Sequence, residues 1–163
     1  MKTDDNLKYI LNTVASASVR YLAFAEIAEG NGYHQVARLF RAMAETQKVY
    51  AVNALKLMSQ IGKTDENLSS AIDEKTYDFT QLYPTFIEQA NKDGNPMAAT
   101  AFQAAVNTTR THVKVLNTAL DNLGRNKEMV YWVCGMCGNL ELGDEPVSCK
   151  ICGAAREKFS KIT

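Results

Sequence analysis

Residues 62 positions apart repeat one another between the stretches 21–42 and 83–104 of this chain. Tyr21 maps onto Tyr83, Phe24 onto Phe86, Gly32 onto Gly94, Ala37 onto Ala99, Phe40 onto Phe102 and Ala42 onto Ala104. Self-similarity at a fixed offset marks a supersecondary unit used twice, and the punctuation identifies the unit as a helical hairpin. Asp4 or Asp5 stands near a first helix start. Breaks follow at Gly30-Asn31-Gly32, Gly62-Lys63-Thr64, Asp93-Gly94-Asn95-Pro96 and Gly124. Glycine just past a helix and proline at a first helical position are the expected stop and start chemistry. The breaks define four helical segments of about 27 residues, each roughly 40 Å long at 1.5 Å per residue. The short connections at 30–32 and 93–95 predict two antiparallel hairpins, the sequence form of a pseudo-symmetric four-helix bundle.

Apolar residues recur in steps of four and three on the second and fourth segments. The second reads Val36, Phe40, Met43, Gln47, Tyr50, Ala54, Leu57 and Ile61. The fourth reads Ala98, Phe102, Ala105, Thr109, His112, Leu116, Ala119 and Leu123. Such stripes are expected to be the buried faces. Gln47, Tyr50, Thr109 and His112 interrupt them with polar groups at mid-length. Met43, Met58 and Met97 read as packing residues, since an unbranched thioether fills irregular core gaps.

All four cysteines lie near the end, as Cys134-x2-Cys137-x11-Cys149-x2-Cys152. Each pair can place two thiolates on one tight turn, and two such turns facing each other form a tetrahedral four-sulfur site. Gly138 and Gly153 follow the second cysteine of each pair and let the backbone curl so that amide N–H groups point at the sulfurs. Such bonds tune the potential of an iron–sulfur centre. Spacing alone leaves iron and zinc both open.

Lys plus Arg and Asp plus Glu each number 18, for a formal net charge of zero. That balance offers no electrostatic case for nucleic acid or an anionic membrane surface. The start, MKTDDNLKY, has no apolar stretch of signal-peptide kind, and no run approaches the ~20 apolar residues of a membrane span. A cytoplasmic location is the expectation, and in a reducing compartment paired C-x-x-C motifs read as metal ligands rather than disulfides.

The stretch VYWVCGMCG, then an acidic loop with Pro146, then SCKICGAAREKF, resembles the rubredoxin-like module at the C-terminus of rubrerythrins. Trp132, Pro146 and Phe159 match the apolar groups that surround the single redox iron there. Asn139 departs from the aromatic residue usual after C-x-x-C-G. The resemblance extends through RYLAFAEIAEGNGYHQVARLFRAMAE and IDEKTYDFTQLYPTF, which look like the family's first three helices, and so covers essentially the whole chain. It implies an all-α ferritin-like four-helix bundle over residues 1–127 and a rubredoxin-like four-cysteine domain over 128–163. It favours one iron over zinc, although zinc can stand in its place. It also implies a homodimer, a redox partner protein, and peroxide reduction in protection from oxidative stress.

That last implication meets an obstacle. The family's di-iron centre takes a Glu from each of two helices and Glu-x-x-His from the other two. The matching positions here are Val14 on the first helix, Gln47 and Tyr50 on the second, Lys75 and Asp78 on the third, and Thr109 and His112 on the fourth. Neutral Gln and Thr bind hard cations weakly, and Lys75 repels them, so no di-iron centre is expected. Lys75 should instead pair with Asp78 one turn on, with Gln47, Tyr50 and His112 completing a polar network. The reading that follows is one-electron transfer or redox sensing through the four-cysteine iron. The alternatives are a rubrerythrin-type peroxide reductase and a zinc-stapled interaction module without redox chemistry.

Overall fold

The computed structural model describes residues 2–162. The chain forms two compact units, the first ending at Gly62 and the second beginning at Lys63.

The first unit is one helical hairpin, α1 (Thr3–Gly30) and α2 (His34–Leu57). The Asp5 carboxylate accepts from the Lys2 backbone N–H at 3.2 Å and so satisfies one of the free donors at the helix start. The turn ends α1 in a glycine cap: Gly32 takes φ +79°, and the Tyr33 N–H reaches back to Ala28 O at 2.8 Å. On the exposed flank of the turn, Glu29 accepts from Arg41 and pairs with His34. Those bonds, Arg41's first and then His34's, hold the Glu29 carboxyl below the usual carboxylate range.

Small residues carry this hairpin. Val14, Ala17, Ala25 and Ala28 are buried on α1, and Ala37, Ala44 and Ala54 on α2. Ser18 Oγ reaches across to Ala44 O at 3.0 Å, a bond that only closely approaching backbones permit. The expected stripe on α2 is covered only in part: Ala54 is buried, and Phe40 and Gln47 are half-buried. Val36, Met43, Tyr50, Leu57 and Ile61 stay exposed, because the alanine stripe lets the helices come closer than bulky side chains allow. The helix also stops early: Leu57 is its last residue, and Ser59, a non-glycine residue, adopts φ +54° to turn the chain.

The second unit begins with α3 (Thr64–Tyr77), capped by a 2.7 Å bond from the Lys63 N–H to the Glu66 carboxylate. The expected third helix then continues without a break as a π-helical turn (Asp78–Leu82) and α4 (Tyr83–Lys92). Pro84 explains the wider turn. Its ring crowds the carbonyl four residues back and it has no N–H to donate. The Tyr83 N–H bonds to Asp78 O, five residues earlier, which is the π-helical pattern. The Asn95 side chain caps α5 (Pro96–Asp121) by accepting from Ala98 N at 3.0 Å.

The repeat is visible atom by atom. Tyr21–Phe24 and Phe24–Phe40 ring centroids lie 6.3 and 5.5 Å apart. Their counterparts Tyr83–Phe86 and Phe86–Phe102 lie 6.4 and 5.5 Å apart. The Asn95 N–H bonds Ala90 O at 2.8 Å, as Tyr33 bonds Ala28.

After α5 the chain forms a three-stranded antiparallel sheet in the order β2-β1-β3, with β1 at Tyr131–Cys134, β2 at Leu140–Leu142 and β3 at Phe159–Ile162. Trp132 opposes Glu141 on β2 and Lys161 on β3, Cys134 opposes Phe159, and Trp132 Nε1 donates to Gly143 O at 3.1 Å. Among the described residues, no helix is long and apolar enough to cross a membrane.

Candidate metal centre

The two cysteine pairs form turns with the same bonding. Gly138 N–H donates to Cys134 O and Gly153 N–H to Cys149 O, both at 2.9 Å. Cys134 N–H donates to Asn139 O at 2.9 Å and Cys149 N–H to Ala154 O at 2.8 Å. Gly138 and Gly153 have φ of +74° and +73°, a conformation open to glycine at no steric cost. Gly135 is needed for a different reason: a Cβ there would stand 3.0 Å from Lys158 O, which accepts its N–H.

The turns bring the four sulfurs together. Cys134 and Cys152 Sγ lie 3.7 Å apart, Cys137 and Cys149 Sγ 3.6 Å apart, and all four fall within 4.8 Å of one another. A tetrahedron with metal–sulfur bonds of about 2.3 Å has edges of roughly 3.8 Å, so the thiolates fit a tetrahedral ion. Cys134 and Cys149 are buried, Cys137 is half-buried and Cys152 is exposed. Burial pushes the Cys149 thiol up, but the Cys152 and Ile151 N–H groups aimed at its sulfur outweigh that and bring it to about 7. Burial dominates at Cys137 and raises its thiol. A bound cation would deprotonate both, since the ligand is the thiolate. The soft, all-sulfur donor set suits iron or zinc and disfavours magnesium, calcium or manganese.

On the helices, Lys75 Nζ lies 2.8 Å from Asp78 Oδ2 and 2.9 Å from Glu74 Oε1. Asp78 is buried at the first position of the π turn, and Thr109 is buried on α5. In the first unit Val14 is buried on α1, Gln47 is half-buried and Tyr50 is exposed. His112 does not join the Lys75–Asp78 pair. Its Nε2 donates to Gly138 O at 3.0 Å and ties α5 to the first cysteine turn. That carbonyl comes from a residue 26 positions further on, beyond the reach of a helical register argument. Two side chains outside the cysteine pattern link the two turns: Glu141 on β2 and Lys150, the residue after Cys149, lie 2.9 Å apart. Nothing in their spacing marks them, since the sheet and the second turn bring them together.

The chain matches the rubrerythrin family model over residues 5–120. It is 28% identical to rubrerythrin-2 of Clostridium acetobutylicum, over 96% of this chain and 95% of that protein. Nigerythrin of Nitratidesulfovibrio vulgaris is 26% identical, over 97% of this chain and 85% of that protein. The mixed-valence nigerythrin structure superposes with a TM-score of 0.59 at 26% identity, over 99% of this chain and 87% of that one. The fully reduced, all-ferrous nigerythrin structure gives 0.60 over the same shares. Four helices in two repeated hairpins, a small C-terminal sheet presenting four convergent thiolates, and these matches together establish that the chain belongs to the rubrerythrin family.

Proposed function

We propose that this chain is a rubrerythrin-type electron carrier or redox sensor that works through one iron held by Cys134, Cys137, Cys149 and Cys152. The observation that carries the reading is the sulfur geometry, with separations of 3.6 and 3.7 Å across opposite turns. Iron held there would supply one-electron chemistry with no open position for substrate. The protein's own part is to hold four thiolates at fixed separations, aim backbone N–H groups at them, and keep Cys134 and Cys149 from solvent.

The same reading holds that the helices carry no working di-iron centre. Val14, Gln47 and Thr109 stand where carboxylates are needed. The Lys75 ammonium already occupies Asp78, and the His112 Nε2 that would have to bind iron donates to a carbonyl instead. A ligand set of this kind does not fit two cations.

The chain is further proposed to act as a homodimer with a separate redox partner protein, in the cytoplasm, and apart from nucleic acid and membranes. A metal module of about 35 residues has too little core to be firmly held without its ion and a docking surface, and a second copy supplies that surface. Sedimentation as a monomer at micromolar concentration would refute the dimer.

The test of function is anaerobic purification from the native host with metal analysis and visible spectroscopy. One iron per chain and a red colour bleached by one electron are expected. A colourless zinc protein overturns the redox reading. About three irons per chain with peroxide turnover overturns the loss of the di-iron centre.

A further inference from the structure

Asn139 follows the first cysteine turn and is 2% exposed. Its carbonyl accepts the Cys134 N–H, and its own N–H points at the Cys137 sulfur. Its side chain makes one bond, from Nδ2 to Glu141 Oε1 at 3.0 Å. The other amide atom, Oδ1, is buried without a partner among the described residues. Turning the amide over would not help, because a carboxylate only accepts and needs the NH₂ end. Leaving an acceptor unpaired inside is costly, and such a group in a folded protein calls for an explanation.

Glu141 provides one. Its side chain is 15% exposed, and both oxygens are engaged, Oε1 by Asn139 and Oε2 by Lys150 Nζ at 2.9 Å. Lys150 directly follows Cys149. One carboxylate therefore spans the two cysteine turns, held from one side by the residue after Gly138 and from the other by the residue after Cys149. It places a largely desolvated negative charge between residues of the two turns that carry the four thiolates, a donor set that is itself anionic. Charge and hydrogen bonding around such a site set its potential.

We propose that Glu141, positioned by Asn139 and Lys150, is a potential-setting residue of the four-cysteine centre, with its carboxylate favouring the oxidised ion and Lys150 partly offsetting it. This rests on the reading of the centre as iron. Asn139 acts by holding the carboxylate in place, and its unpaired Oδ1 is the cost of presenting Nδ2 to Glu141.

The test uses the full chain reconstituted with iron, its potential read by spectroelectrochemistry at low salt. Glu141→Gln keeps the shape and removes the charge, and Lys150→Gln removes the opposite charge. Glu141→Gln should lower the ferric-to-ferrous ratio at a fixed poise at least threefold, about 28 mV for a one-electron couple. Lys150→Gln should raise that ratio, and added salt should shrink its effect, since Lys150 is 80% exposed. Asn139→Leu should shift the ratio in the same direction as Glu141→Gln, by freeing the carboxylate into solvent. Opposite signs for the two charge variants are the signature, because mere loosening of the turns would move both the same way. Equal signs, or no shift in Glu141→Gln, overturn the proposal. Zinc in the native protein would overturn the iron reading alone, because these potentials are measured after iron loading.

Discussion

The Lys75–Asp78 pair makes a quantitative demand on the helices. Asp78 keeps 11% of its side-chain surface and Lys75 keeps 35%, with Nζ shared between Asp78 and the exposed Glu74. A hydrogen bond to a charged group contributes about 1.5–3 kcal/mol. An exposed ion pair contributes only about 0.2–1 kcal/mol. Orphaning a fully buried charge costs about 3–5 kcal/mol. This pair lies between the last two cases: the acid is nearly buried while the ammonium still meets solvent. Lys75→Met should therefore destabilise the protein by about 2 kcal/mol, and most of that is the cost of leaving Asp78 unpaired. Lys75→Met with Asp78→Leu should recover more than half, a coupling of at least about 1 kcal/mol in a double-mutant cycle. Urea unfolding followed by helical circular dichroism measures all four corners. The pH dependence has a fixed sign. Donating to Asp78, and then to Glu74, raises the folded Lys75 pKa above its ordinary value. Its contribution is thus complete below the unfolded lysine pKa of about 10.4 and fades only as the pH climbs above it. Additive single and double mutants, or an unchanged Lys75→Met, would refute the reasoning.

Three further outcomes follow from the same geometry. Ser59→Gly should stabilise the first hairpin by about 1 kcal/mol, since a left-handed φ of +54° penalises any side chain, and a thermal melt reads the gain. Arg41→Ala should bring the Glu29 pKa back toward the ordinary carboxylate range, because the bond from Arg41 is the largest cause of its lowering, and a carboxyl NMR titration follows it directly. Cys149→Ala should abolish metal binding while the helical signal melts nearly as before, since the helices carry their own periodic contacts and no cysteine precedes residue 134. Collapse of that signal in Cys149→Ala would show that helices and metal module unfold as one cooperative unit.

Whatever depends on short-range chemistry was legible in the residues alone. The 62-residue repeat, the glycine after each hairpin helix and Pro96 specify two helical hairpins, because caps and periodicity act within a turn or two of the chain. C-x2-C followed by glycine specifies a sulfur-presenting turn for the same reason, and both turns have the same bonding in the structure. The Lys75–Asp78 contact, one helical turn long, also belongs here. What only the tertiary structure decided is which of several apolar stripes each helix covers and which distant atoms meet. The closely packed residues of α2 are Ala37, Ala44 and Ala54, of which only Ala54 belongs to the expected series, because backbone approach depends on the partner helix as much as on the stripe. His112 belongs to the carbonyl of Gly138 rather than to Asp78, and Asn139 to a carboxylate shared with Lys150. The Gly138 and Lys150 partners lie on other elements than His112 and Glu141, so their meeting is set by the packing of helix, strand and turn, and no local spacing encodes it.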